Sequence, residues 1–262
     1  VSSKLRRVSI ANRLLNTGEA SISELAQTYG TSEMTIRRDL DLLEIEGLAR
    51  KVRGGAVSTQ SRSYQTPIMQ RSALESEAKQ RIGEAAAELL SPRETVIIDG
   101  GTTTLQMVKA INPGLHLTII TSSLLIASEL DLKPEIDVMV TGGRLRHGEK
   151  SLVGSRAESS FEGLNVDSVF IGAAGISEEN GLTEFNLEDT EIKLAAIRAS
   201  RRVVVLVDAS KMGQVTFVNV VPLQEIDLIV TNASPHNHSI KVARELGVEI
   251  LHVEPVAHES VA

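Results

Sequence analysis

The chain has 262 residues, 42% of them hydrophobic, a formal net charge of −7 and no cysteine. That length accommodates one large domain and a small one, and the lack of thiols excludes disulfides and cysteine-ligated metal sites. No apolar run approaches the ~18 residues of a membrane span and the N-terminus has no signal-peptide apolar region, so a soluble, cytoplasmic protein without a membrane partner is expected.

The charge is unevenly divided. Residues 1–57 hold nine Lys/Arg against seven Asp/Glu, a net of +2, which leaves −9 on the remainder. A small basic module on a larger acidic body fits a nucleic-acid reader.

A first helix is predicted over Lys4–Asn16, with Leu5, Val8, Ala11, Leu14 and Leu15 on a buried stripe and Lys4, Arg6, Arg7 and Arg13 supplying basic charge. Ala20–Ile22 has the character of a short strand able to pair with the hairpin downstream. Ser21–Tyr29 reads as a short helix ending at Gly30. Ser32 is then a natural N-cap, Ile36, Leu40 and Leu43 mark the buried face of a second helix, and Gly47 ends it. Thr35, Arg37 and Arg38 lie on the other face near its start. Short hydroxyls and arginines at the N-terminal end suit a helix that enters a major groove. Leu48–Val57 forms two strand-like runs about Gly54-Gly55, a hairpin wing whose Arg50, Lys51 and Arg53 are expected to follow phosphates. Taken alone, an amphipathic helix with two arginines is equally an ordinary solvated helix. Four such elements in series make residues 1–57 a winged helix-turn-helix.

Residues 58–72 are polar, lack a clear period and include Pro67, as a linker does. From residue 73 to 262, apolar runs at 95–98, 117–121, 137–141, 168–172, 203–207, 228–231 and 249–253 alternate with amphipathic helices. This pattern predicts a mostly parallel, doubly wound α/β domain.

Ligands of such sheets bind beyond the carboxyl ends of the strands. The first apolar run leads into Asp99-Gly100-Gly101-Thr102-Thr103-Thr104 and a helix. Glycines permit close backbone approach, and a helix N-terminus offers free amides and partial positive charge, so the loop has the chemistry of a phosphate site. Gly142-Gly143-Arg144, Gly172-Ala173-Ala174-Gly175 and Asp208-Ala209-Ser210-Lys211 end other strands. Arg144 and Lys211 could neutralise a phosphate, and Asp99 and Asp208 could accept bonds from sugar hydroxyls. The glycine pairs are equally readable as tight turns. Glu188 and Glu191 share a helix face, expected to be solvated or salt-bridged near Lys193 and Arg198. The histidines do not cluster, and neither a metal nor a cofactor is expected.

The run Thr35-Ile36-Arg37-Arg38-Asp39-Leu40, with Gly47-Leu48-Ala49-Arg50 and Gly54-Gly55-Ala56, resembles the winged helix of DeoR-type bacterial transcriptional regulators. The later DGGTTT, TGGR, IGAAG and DASKMG, in that order, resemble the sugar-phosphate-sensing domain of the same family over roughly residues 78–253. The resemblance implies a ribose-5-phosphate-isomerase-like fold for that domain. It also implies a phosphate loop at Gly101–Thr104, an anion-facing Lys211 and further pocket residues Asp99, Gly143, Gly175 and Glu191. Arg53 stands where the family usually has histidine, and Ser122 where it commonly has asparagine.

The function expected is a sequence-specific regulator, a repressor of sugar-metabolism genes, bound to double-stranded operator DNA as a dimer or tetramer and controlled by a phosphorylated sugar. Ser32, Thr35, Arg37, Arg38, Arg50, Lys51 and Arg53 would form its DNA surface. It is not expected to be an enzyme; the alternatives are a sugar-phosphate isomerase-like enzyme with an appended DNA-binding domain, and a winged helix that binds protein.

Overall fold

Ile10 and Leu14 lie one helical turn apart and are fully buried. In the computed structural model, which describes residues 3–59 and 61–254, they belong to helix α1, Ser3–Thr17. Strand β1 (Glu19–Ser21), α2 (Ile22–Thr28), α3 (Glu33–Ile45), β2 (Ala49–Val52), β3 (Gly55–Ser58) and α4 (Ile68–Arg71) follow. The side chain of Lys4, counted above among the basic groups, lies outside the described ones, as do residues 255–262 of the expected second domain.

The chain divides into two compact units, Val1–Leu74 and Glu75–Ala262. The first has its own apolar core, in which Ile10, Leu14, Leu25, Ile36, Leu40 and Leu43 meet. Each such side chain contributes about 1.5–3 kcal/mol relative to exposure. Its sheet runs β1-β3-β2, all antiparallel, so the short strand before α2 does pair with the wing. The turn of the wing is Arg53-Gly54, with Gly54 at φ 86°. Gly55 already belongs to β3, where a Cβ would stand 2.3 Å from the carbonyl oxygen of Ala20. The stretch read as a featureless linker carries α4, whose Ile68 is buried.

The second unit begins with α5 (Ser76–Ala87), β4 (Thr95–Ile98), α6 (Thr102–Ala110), β5 (Leu117–Thr121), α7 (Leu124–Leu130) and β6 (Ile136–Val140). Then come β7 (Arg144–Arg146), β8 (Ser151–Val153), α8 (Ser155–Glu158), β9 (Val166–Gly172), β10 (Gly175–Ser177), β11 (Gly181–Glu184) and α9 (Leu187–Arg198). The last elements are β12 (Ser200–Leu206), β13 (Val218–Asn219), β14 (Leu228–Thr231), α10 (His238–Glu245) and β15 (Glu249–His252).

Seven strands form one parallel sheet in the order β15-β14-β12-β9-β4-β5-β6. Alternate residues of each strand face opposite cores. Val96, Ile98, Phe170 and Val204 meet α5, α6 and α7 on one side. Ile97, Val169, Ile171 and Val205 meet α8, α9 and α10 on the other. This is the doubly wound α/β architecture expected. The α5 and α6 backbones approach so closely that a Cβ on Gly83 would lie 2.5 Å from the amide nitrogen of Met107.

Two features were not anticipated. A hairpin, β7–β8, follows β6, and a three-stranded antiparallel sheet, β10-β11-β13, follows β9. Their strands have two to four residues, too short for alternation to distinguish them from loops.

Candidate functional site

The first unit presents α3 on a well-capped frame. Ser21 and Glu24 form a reciprocal capping box at the start of α2. Ser32 caps α3, its Oγ accepting from the Thr35 amide at 3.2 Å and lying 3.0 Å from Thr35 Oγ1. Arg37 is exposed and pairs with Glu33 one turn earlier at 3.2 Å. Arg38, Arg50 and Arg53 are exposed, and no ion pair joins them to another of the described residues.

Lys51 differs from its predicted place along a phosphate strand. It folds back into an ion pair with Asp41 of α3, while its amide donates to Glu44 Oε1 at 2.8 Å. The Asp41 carboxylate holds the ammonium above its ordinary pKa. Arg6 and Arg7 are also drawn inward. Arg6 Nε is 2.6 Å from Asp39 Oδ2 and Arg7 is 3.9 Å from Oδ1, with Asp39 only 3% exposed. Asp39 was not singled out from sequence, although it sits among Ile36, Leu40 and Leu43, where a carboxylate requires a cation.

In the second unit the strand order reverses between β4 and β9, so their carboxyl ends flank a switch-point crevice. Beyond β4, Gly101 is the N-cap of α6 and no side chain caps the helix. Thr102, Thr103 and Thr104 are all buried, and Thr104 Oγ1 donates to Gly101 O at 3.1 Å. The first-turn amides thus face outward from a helix end of partial positive charge.

Asp99 precedes this turn and forms an ion pair with Lys193 of α9, whose ammonium also donates to Gly172 O at 3.1 Å. Both side chains are at most 10% exposed. Burial pushes the Asp99 carboxyl above its ordinary range against the opposing pull of Lys193. For Lys193, burial opposes the charge, but Asp99, Glu184 and Asp189 outweigh it and hold the ammonium above its usual value. Lys193 is the central group that sequence reasoning left beside a solvated or salt-bridged face without naming it a site residue. Its signal was position: Ala196 and Ile197, three and four residues on, are both buried.

The other expected pocket residues differ in exposure and in partners. Glu191 is exposed and lies roughly 200° around α9 from Lys193, because a helix turns about 100° per residue. Arg144 is 66% exposed and engaged by Glu188. Gly143 has φ 122°, and a Cβ there would stand 2.8 Å from Val153 O; one at Gly175 would stand 2.4 Å from Gln214 O. These two glycines serve backbone packing. Lys211 is half-buried in the turn after β12, with Asp208, Glu75 and Lys79 as charged neighbours. There, burial and Asp208 push the Glu75 carboxyl upward. Among the described residues no cluster has the make-up of a metal site, and no helix is long and apolar enough to cross a membrane.

The two units correspond to two known families. Residues 6–62 match the DeoR-like helix-turn-helix domain, and residues 74–233 match the DeoR C terminal sensor domain. The chain belongs to the DeoR family. It is therefore a DNA-binding transcriptional regulator with a sensor domain, as its motifs indicated. Its DeoR relatives include the HTH-type transcriptional regulator GolR of Listeria innocua, 32% identical over 94% of this chain and 96% of that protein. The glycerol-3-phosphate regulon repressor of Escherichia coli K12 is 33% identical over 83% of this chain and 86% of that protein. Among solved structures, ribose 5-phosphate isomerase A from Neisseria gonorrhoeae is similar at a TM-score of 0.39 and 17% identity, over 52% of this chain and 53% of that one.

Proposed function

We propose that this DeoR-family chain represses genes of sugar metabolism and releases its operator when its sensor unit binds a phosphorylated sugar or polyol. The observation that carries the effector class is the uncapped N-terminus of α6, with buried Thr102, Thr103 and Thr104 beside the Asp99–Lys193 pair. Helix-end amides favour an anion, while hydroxyls and a carboxylate suit the polyol part of the same molecule. A relative named for glycerol-3-phosphate supports the phosphate ester.

On the DNA side, Arg38 and Arg37 enter the major groove with Thr35 and Ser32, and Arg50 and Arg53 follow the backbone of the wing-side strand. Lys51 joins them only by leaving Asp41. Two half-sites require two readers, so the protein acts as a homodimer or tetramer, in the cytoplasm and without a cofactor. It senses its ligand rather than converting it. An effector shifts operator affinity only by the difference in its own affinity for the two states.

The test is binding to the promoter fragment nearest its own gene, across salt concentrations, with and without a panel of phosphate esters. Steeply salt-dependent binding that one ester abolishes, with the ester recovered unchanged, is the expected result. Binding indifferent to every ester overturns the sensor reading, and turnover of an ester overturns the non-enzyme reading.

A further inference from the structure

Ser151, at the start of β8, is 8% exposed, and its Oγ has no hydrogen-bond partner among the described residues. Folded chains seldom leave a buried hydroxyl unpaired, and one so placed points to an absent partner.

Its surroundings indicate which partner. Ser151 and Ser123 form an isolated antiparallel bridge. Leu124 N donates to Lys150 O at 2.9 Å and Leu152 N to Ser122 O at 2.8 Å. The hairpin β7–β8 is thereby fastened to the turn after β5. On its other side Arg144 and Arg146 pair with Glu188 and Asp189 at the start of α9. Under this strap lies Gly100, where a Cβ would stand 3.4 Å from Ser123 Cβ and 4.0 Å from Ser151 Cβ. Ser123 Oγ is already engaged, accepting from Ile126 N at 3.4 Å. Ser151 is the unengaged one, and Gly100 directly precedes the N-cap of the anion-attracting helix end of α6.

We infer that Ser151 Oγ is the hydroxyl subsite of the effector pocket. It hydrogen-bonds an alcohol of the polyol chain while the phosphoryl group of the same molecule sits on the first turn of α6. This rests on the reading of the sensor unit as a phosphate-ester site. An alcohol both donates and accepts, as serine does, so the pair forms whichever way the serine proton points. The phosphoryl oxygens are matched instead by the amides of α6. Ser151 therefore distinguishes polyol phosphates from bare phosphate.

The experiment measures melting of the full chain and its Ser151→Ala and Gly100→Ala variants, titrated with inorganic phosphate, glycerol 3-phosphate, glucose 6-phosphate and fructose 6-phosphate. Without ligand, Ser151→Ala should melt at or above the wild type, because it removes an unsatisfied buried group. Its affinity for inorganic phosphate should be unchanged. Its preference for the best ester over inorganic phosphate should fall roughly tenfold, the effect of one hydrogen bond. Gly100→Ala fills the same space with ordinary van der Waals contacts and should lose the same preference while remaining folded.

A lower melting temperature for unliganded Ser151→Ala would reveal a structural partner and overturn the inference. So would an undiminished ester preference, or an equal loss of inorganic phosphate binding. If inorganic phosphate protects the wild type while ester preference survives in both variants, the hydroxyl subsite alone is wrong. If neither phosphate nor any ester protects the wild type, the phosphate-ester reading fails and this inference fails with it.

Discussion

Lys193 of α9 and Asp99 at the end of β4 pair across 94 residues of sequence, joining the helix after β11 to the loop that opens α6. Removing one partner of a buried pair leaves an uncompensated charge, which costs about 3–5 kcal/mol. Lys193→Met should lose that much at pH 7. Its pH dependence should also be steeper, in the same direction as that of the wild type. Asp99 is raised above its unfolded value even with the lysine present, and without the lysine, burial and the Asp189 charge act on it opposed only by the Gly100 amide. The unfolded chain then releases the Asp99 proton first as pH rises. The stability linked to this group is fully present below the unfolded pKa and is lost as pH climbs through the folded one. Urea melts of Lys193→Met should therefore show a smaller deficit at pH 4 than at pH 7, and Asp99→Asn in the same chain should remove most of the difference.

Arg6 and Asp39 join α1 to the inner face of α3. Arg6→Ala leaves Asp39 buried with only the more distant Arg7 and should cost about 3–5 kcal/mol. Hydrogen exchange provides a local measure: amides of α1 and α3 should lose protection while those of β4 and β9 retain theirs. Operator binding should weaken through loss of folded reader, with an unchanged slope against salt.

The cations assigned to DNA in the proposed function should behave otherwise. Arg53→Ala should weaken binding to all sequences alike and reduce the salt slope by about one. Arg38→Ala should cost about 1–3 kcal/mol on operator DNA and relax sequence preference. Lys51→Ala should change affinity least of the wing substitutions, since its ammonium is already opposed by Asp41. Fluorescence anisotropy with operator and scrambled duplexes at several salt concentrations separates these three outcomes.

Gly172 and Gly175 look interchangeable in sequence and are not in space. A Cβ at Gly172 meets nothing within 4 Å, whereas one at Gly175 would stand 2.4 Å from Gln214 O and 2.8 Å from Gln214 C. Gly172→Ala should stay within about 1 kcal/mol of the wild type, the range for Gly-to-Ala changes at compatible positions. Gly175→Ala should lose about 1–3 kcal/mol by overpacking, read as a lower urea midpoint.

Elements with a strong period are legible in the amino-acid sequence. The strands at Thr95–Ile98, Leu117–Thr121 and Leu228–Thr231 have the expected bounds, because continuous apolar runs mark buried parallel strands. Helix α3 is legible from its Ser32 cap and its Gly47 stop. What escapes depends on partners distant in sequence. Lys193 and Asp39 are charges on apolar helix faces, and only the fold reveals Asp99 opposite one and Arg6 opposite the other. The β7–β8 hairpin escapes because Arg144-Leu145-Arg146 has no period of its own and is held by Glu188 and Asp189 more than forty residues away. Glu191 is displaced for the converse reason: its motif neighbours suggest a pocket, while helical geometry turns it outward.

In the wing, β3 lies between β1 and β2, and Gly55 lets its backbone rest against Ala20. Arg53 and Gly54 project beyond this seam, with open space around Gly54. The base of the wing is thus intolerant of substitution, and at the tip Gly54 is held at φ 86° with its carbonyl accepting from Ile22 N, which leaves the side chain of Arg53 as the free position. Descendants of this chain can acquire new operator preferences by exchanging the residue at Arg53 while keeping the same mount, so divergence in the sites they regulate should leave the wing's architecture unaltered.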